Sequence, residues 1–255
     1  MVPIWALFEV FLQWRIPRWE PTEDDWHAAV RAVEAEKQPG DLVVIAPDWA
    51  VQGRMYFEKL ISWKDFGRFD TRAYRRIFEV SGGGASAPET DDLSPDSVRT
   101  FGKLTVARFD RGEPDKILYD FRDHLKKATL GRFIDKHPKI IIDHWFQPRY
   151  VIGTRLSAPT EMTFREVPMR GVLRVVAFID YREGRYDKGA PARLTVYVND
   201  KQVEQRRVAN FDPLRPLEIP LSGDGTGTVK FEVSAPDNKR RELGLFADVR
   251  IKETP

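Results

Sequence analysis

The sequence predicts an α+β protein of two modules, a small α/β (Rossmann-like) module followed by an antiparallel β-sandwich of the jelly-roll kind. Three observations carry this. Apolar residues at helical spacing lead into a continuous apolar run, Leu42–Ala46. From about residue 160 the apolar rhythm changes to two. The chain has 255 residues, 42% of them hydrophobic, which is enough for two separately cored bodies. The expected divisions are an apolar segment at 1–20, the α/β module at 21–130 and the sandwich at 131–255.

The first segment carries Ile4, Trp5, Leu7, Phe8, Val10, Phe11 and Leu12, interrupted by Glu9, with Pro3 suited to a first helical turn. A run of about a dozen residues is shorter than the roughly 20 of a membrane span, and it lacks the basic start and cleavage site of a signal peptide. Three readings stay open: a helix docked on the protein's own body, an interfacial helix, or the end of a membrane helix begun upstream of Met1. The interfacial reading uses Trp5, Trp14 and Trp19 as headgroup anchors and gives residues 1–20 a membrane association.

In the α/β module, Thr22 or Asp24 caps a helix whose Trp26, Ala29, Val30 and Val33 share one face, and Pro39-Gly40 ends it. The strand Leu42–Ala46 has no polar alternation, as expected of a strand covered on both faces, and Pro47 stops it. Further helices are expected over 50–61, weakened by Gly53, and over 70–76, before a strand at Ile77 to Val80. Residues 81–97 hold no aromatic and one large aliphatic, Leu93, and read as an excursion or a flexible loop. An edge strand at Leu104 to Phe109, a strand at Ile117 to Tyr119 and a closing helix from Phe121 to Leu130 complete the module.

The sandwich reads as about nine short strands, with alternation clearest at Met162-Phe164, Leu194-Val196-Val198, Val229-Phe231-Val233 and Leu245-Ala247-Val249-Ile251. Asn199-Asp200 separates two of them, where a tight hairpin needs residues tolerant of positive φ.

Composition narrows the chemistry. Lys plus Arg number 41 against 39 Asp plus Glu, so the net charge of +2 gives no field that draws the chain onto nucleic acid. Without cysteine there are no disulfides, thiolate metal sites or cysteine nucleophiles. Ser81-Gly82-Gly83-Gly84 lacks the Lys-Ser/Thr and helix start of a phosphate loop. Ser222 to Gly227 carries too few carboxylates for calcium and reads as a turn. No metal site and no cofactor is expected.

The best binding candidate is the long polar stretch 180–191, where Tyr181 and Tyr186 can stack on sugar faces while Arg182, Arg185 and Asp187 bond hydroxyls. A second candidate set for anion or acid–base work is Asp48, beyond the buried strand, with Arg72, Arg75 and Arg76, or else Asp143 with His144. The plain readings are a capping aspartate, a solvated ion-pair network of the arginines with Asp65, Asp70 and Glu79, and a structural Asp-His pair whose side chains diverge on a strand. No nucleophile, base and orienting group assemble, which favours a non-catalytic protein.

Two stretches carry a resemblance. Asp25-Trp26-His-Ala-Ala-Val, Gln38-Pro-Gly-Asp-Leu-Val-Val-Ile-Ala-Pro-Asp-Trp49, Tyr74 to Val80 and Tyr119 to Leu125 resemble the soluble region that follows the membrane helices of bacterial polytopic glycosyltransferase-like proteins. Leu194 to Val203, Leu217 to Leu221 and Val229 to Pro236 are similar to galactose-binding-like jelly rolls, a fold shared by many carbohydrate-binding modules. The chain has neither the membrane bundle nor the acidic catalytic loops of those glycosyltransferases, so transferase activity is not implied. What the resemblance implies is an accessory module of a bacterial cell envelope, with glycan or an envelope protein as partner. The alternatives are an enzyme acting on a phosphorylated or glycosylated substrate at the module boundary, and a scaffold.

Overall fold

A computed structural model describes residues 5, 9, 11, 20–47, 51–143, 145–186, 189–237 and 241–251. The expectations for residues 1–20 therefore fall almost entirely outside the described residues. The chain divides into two compact units, residues 1–65 with 71–114 and residues 66–70 with 115–255. The strand at 117–119, grouped by sequence with the first module, belongs to the second.

In the first unit, α1 (Glu23–Glu36) starts on a capping box: Thr22 Oγ1 accepts from Asp25 N at 3.2 Å and Asp25 Oδ2 accepts from Thr22 N at 3.0 Å. These bonds hold the Asp25 carboxyl below its ordinary pKa, the backbone N–H of Thr22 first among the causes. β1 (Leu42–Ala46) pairs parallel to β2 (Arg76–Gly82), and β4 (Leu104–Asp110) and β3 (Ser97–Phe101) follow antiparallel in the order β1-β2-β4-β3. A sheet with one parallel pair is mixed, so the expected Rossmann-like module is corrected. The β3–β4 hairpin turns at Gly102, φ +56°, which makes that pair antiparallel and needs no crossover. β4 lies between β2 and β3 and is not the expected edge; the exposed, apolar-poor β3 takes that place.

One sheet face carries Val43, Ile45, Phe78 and Val80 against Trp26, Ala29 and Val33 of α1. The short α2 (Val51–Tyr56) approaches so closely that a Cβ on Gly53 would stand 2.7 Å from the Trp26 ring, which explains a glycine that weakened the expected helix. The other face, with Leu42, Val44, Ile77 and Phe109, is covered by Ala87 and by Tyr74, Ala85 and Leu93. Residues 83–96 are thus a packed cover. Buried Glu79 holds it by accepting from Ala87 N at 2.9 Å and from the Thr90 hydroxyl. The expected helix over 70–76 is turn and strand; one helical turn, α3 (Trp63–Phe66), lies earlier.

The second unit is one nine-stranded sheet, path β11-β10-β12-β9-β13-β8-β7, with β5 (Lys116–Asp120) on β13 and β6 (Thr129–Leu130) on β9. The expected closing helix at 121–130 is instead turns, a 3-10 turn Leu125–Lys127 and β6, whose backbone pairs with Thr163 and Met162. β7 (Lys139–Ile142), β8 (Pro148–Arg155), β10 (Ala192–Val198), β11 (Lys201–Val208) and β13 (Glu242–Ile251) are ordinary strands. β9 (Thr160–Ile179) and β12 (Leu217–Ser234), at 20 and 18 residues, run far beyond the short expected strands at Met162-Phe164 and Val229-Phe231-Val233.

At Glu166, φ +58°, the inward alternation slips by one, so Met162 and Phe164 before it face the same core as Val167, Met169, Leu173 and Val175 after it. Register shifts between Ser222 and Thr226 and between Gly227 and Val229 bend β12 to match. The Ser222 to Gly227 run is therefore irregular strand, and the sheet curls around its core as a sandwich-like half barrel. The Asn199-Asp200 hairpin forms as expected, with φ +49° and +62°.

The opposite face of β13, β8 and β9 is covered by the strap 66–70. Phe69 packs 4.7 Å from Phe246 and 6.1 Å from Phe178, and Gly67 O accepts from Tyr150 N at 3.0 Å. Asp70 ion-pairs with Arg174 and lies 3.5 Å from Arg250, which also meets Asp115 at 3.2 Å and Asp248.

Candidate functional site

Three connections at one end of the second unit bring aromatic rings together. Phe146 comes from the β7–β8 hairpin, Tyr181 from the β9–β10 connection and Phe211 from the β11–β12 connection. The Phe146 and Tyr181 ring centroids are 4.3 Å apart and those of Tyr181 and Phe211 6.1 Å. Phe146 and Phe211 are 65% and 54% exposed, beside Trp145 at 69%. Large rings held in water are unusual in a stable fold and mark a binding surface when they cluster.

The backbone reinforces the point. Phe146 and Phe211 adopt φ +61° and +65°. The left-handed region is disfavoured for bulky side chains, and a residue held there is a candidate for function.

Each connection is built to carry its ring. At the hairpin tip, fully buried Asp143 accepts from Trp145 N at 2.8 Å and Gln147 N at 3.0 Å, and its other oxygen takes Arg149 Nε at 2.8 Å. The β11–β12 turn closes with Ala209 N donating to Asp212 Oδ2 at 2.7 Å. The stretch 180–191, expected as an irregular loop, begins as the helical turn α4 (Tyr181–Tyr186), started by Arg182 N donating to Asp180 Oδ1 at 2.8 Å. Its return is locked by Arg241, which has no exposed surface and donates to Asp237, Asn210 and the carbonyl of Ala190. Asn210 Nδ2 in turn donates to Gly184 O at 3.1 Å. Burial, and then the charge of Glu242, push the Glu183 carboxyl above its ordinary pKa.

Of the sequence candidates, Tyr181 stands in the cluster, with Arg182 and Arg185 exposed on the same helical turn. The Tyr186 side chain and Asp187 lie outside the described residues, as do Asp48 and His144. Arg76 is taken by Asp41 at 2.6 Å and by Glu36 O at 3.1 Å, while Arg72 and Arg75 are exposed beside it. Asp143 spends its oxygens on its own hairpin and Arg149, in line with the plain structural reading of this residue. Among the described residues no group of three metal-ligating side chains assembles. No described helix is long and apolar enough to cross a membrane.

Sequence reasoning missed Phe146 and Phe211. Trp145-Phe146 beside turn-forming residues, and Phe211 between Asn210 and Asp212, are the available signals: large rings where a loop offers no core.

No family model and no curated protein matches the sequence. Solved structures similar to the chain include carbohydrate-binding modules. One holds CBM51-2 and INT domains of Clostridium perfringens ZmpB in complex with GlcNAc, at 14% identity over 68% of this chain and 40% of that one, TM-score 0.39. A CBM51 of Clostridium perfringens GH95 in complex with methyl-galactose matches at 14% identity over 48% of this chain and 92% of that one, TM-score 0.36. A family 35 carbohydrate-binding module from Clostridium thermocellum matches at 15% identity over 52% and 98%, TM-score 0.33.

Proposed function

We propose that the second unit is a glycan-binding module and that Phe146, Tyr181 and Phe211 form its stacking surface. The carrying observation is the convergence of three rings from three separate connections, two of them on left-handed backbone. A pyranose offers C–H faces to rings and hydroxyls to the guanidinium of Arg182, and this surface presents both. The proposed setting is a non-catalytic accessory role at a bacterial envelope, supported by the resemblance of the first half, so envelope polysaccharides are the first ligands to try.

The test is calorimetry of the full chain against a panel of such polysaccharides and their oligosaccharides. Tyr181→Ala and Phe211→Ala each should weaken binding about tenfold or more, because each lost ring face removes on the order of 1.5 kcal/mol. Phe211 is exposed and Tyr181 only half-buried, so the melting temperature should shift little. A panel with no binder, or binding indifferent to both substitutions, overturns the assignment.

A further inference from the structure

A cleft in this sheet lies beside two arginines on neighbouring strands. The cleft has a volume of about 770 Å³ and is open to solvent, within the range of small-molecule sites. Arg193 of β10 and Arg207 of β11 line it, together with Gln205, Ser234 and the rigid walls Pro159, Pro191 and Pro236.

The register explains how these groups converge. Arg207 stands directly across from Arg193, and Arg193 directly across from Ser234, so three neighbouring strands place two guanidinium groups and a hydroxyl in one row. Facing side chains in such a row start about 4.5–5.5 Å apart, and like charges in that position repel. Neither guanidinium has a hydrogen-bond or ion-pair partner among the described residues, and both side chains are exposed. Two described acids of this face are engaged elsewhere: Glu232 accepts from the Tyr197 hydroxyl at 3.2 Å and Glu161 meets Lys230 at 3.6 Å. The remaining polar neighbour, Gln205, donates to Thr195 at 3.3 Å. A pair of forked donors, positive, without an acidic partner among the described residues and walled by apolar proline, has the chemistry to hold an oxyanion that accepts from both.

We propose that this cleft is a second binding site, for a ligand bearing an oxyanion, which Arg193 and Arg207 clasp from adjacent strands while Ser234 donates from the third. The site is independent of the aromatic surface and uses none of its residues. Carboxylates and tetrahedral sulfate or phosphate groups share the required chemistry.

The full chain is titrated with sodium sulfate, inorganic phosphate and sodium acetate at constant ionic strength held with chloride, following backbone amide shifts. Saturable shifts centred on β10 and β11 are expected with at least one probe. Sulfate or phosphate without acetate assigns a tetrahedral ester; acetate assigns a carboxylate. Arg193→Gln and Arg207→Gln each should weaken the binding about tenfold or more, since each removes a charge-assisted bond. Without anion and at low salt, either substitution should leave the melting temperature unchanged or higher, because a like-charge repulsion goes with it. Tyr181→Ala should bind the anion as the parent does, which separates this site from the glycan surface. No saturable shift with any probe, or equal binding by the double Arg193→Gln/Arg207→Gln variant, overturns the proposal.

Discussion

Tyr119 shows how one buried polar group sets a boundary on conditions. Its ring stacks on His124 at 3.8 Å and meets Phe121 edge-on at 4.9 Å, and burial, aided by the charge of Glu166, pushes the phenol up to about 12. In the unfolded chain the same group ionises near 10. The neutral form is therefore the one the fold favours; its contribution is whole below about pH 10 and is lost as pH rises through about 12. Alkaline unfolding should begin in that window, and Tyr119→Phe, which keeps the ring and deletes the ionisation, should move its midpoint upward. Circular dichroism along an alkaline titration reads this directly, and coincident midpoints for the two proteins count against it. Tyr119 was legible as a strand residue from its apolar neighbours. Its stacking partner was not, because His124 sat in what read as a helix.

Elements whose cause is local were legible, and those whose cause is distant were not. The capping box of α1, the apolar run of β1 and the Asn199-Asp200 hairpin each depend on residues within a few positions of one another. The cover at 83–96 depends on Glu79, and β9 reaches its full length only because β12 bends with it; no window of neighbouring residues contains either fact. The site divides the same way. Tyr181 was visible as an aromatic in a polar stretch, but its meeting with Phe146 and Phe211 is a property of three connections brought to one end of a sheet. The Asp143 hairpin offers the sharpest check at this scale. Asp143→Ala leaves two backbone donors and a guanidinium without their acceptor at a fully buried position, a change that costs about 3–5 kcal/mol where a buried pair is broken. Asp143→Asn keeps an acceptor for the two backbone N–H groups and should cost clearly less. If the hairpin positions Phe146, glycan affinity should follow the same order as stability, whereas Phe146→Ala should lower affinity alone. Calorimetry and thermal melts on the three variants separate a positioning residue from an acid–base one, which would lose affinity or activity equally in the Asn and Ala forms.

At the scale of the molecule, the surprise is that linear order and structural membership disagree. Periodicity locates a change of fold near the middle of the chain, and the change is real, yet the second unit also claims residues 66–70 from inside the sequence of the first. A five-residue strap has no periodicity to announce it; only Phe246 and Phe178, waiting on a sheet face far along the chain, explain why Phe69 is aromatic. Arg149, whose guanidinium lies 5.2 Å over the Phe69 ring, and Asp70, which joins Arg174 and Arg250, fix the same strap from both sides. The consequence concerns unfolding. Two units with separate cores should give two calorimetric transitions, and Phe69→Ala should lower the one that belongs to the β-sandwich by about 1–3 kcal/mol, the cost of losing a partly buried ring. Phe164→Ala, deep in the sandwich core, identifies that transition, and Phe78→Ala, in the core of the first sheet, identifies the other. Should Phe69→Ala instead move the transition that Phe78→Ala moves, the strap stabilises the unit in which its sequence lies, and the division of the chain must be redrawn with residues 66–70 returned to the first body.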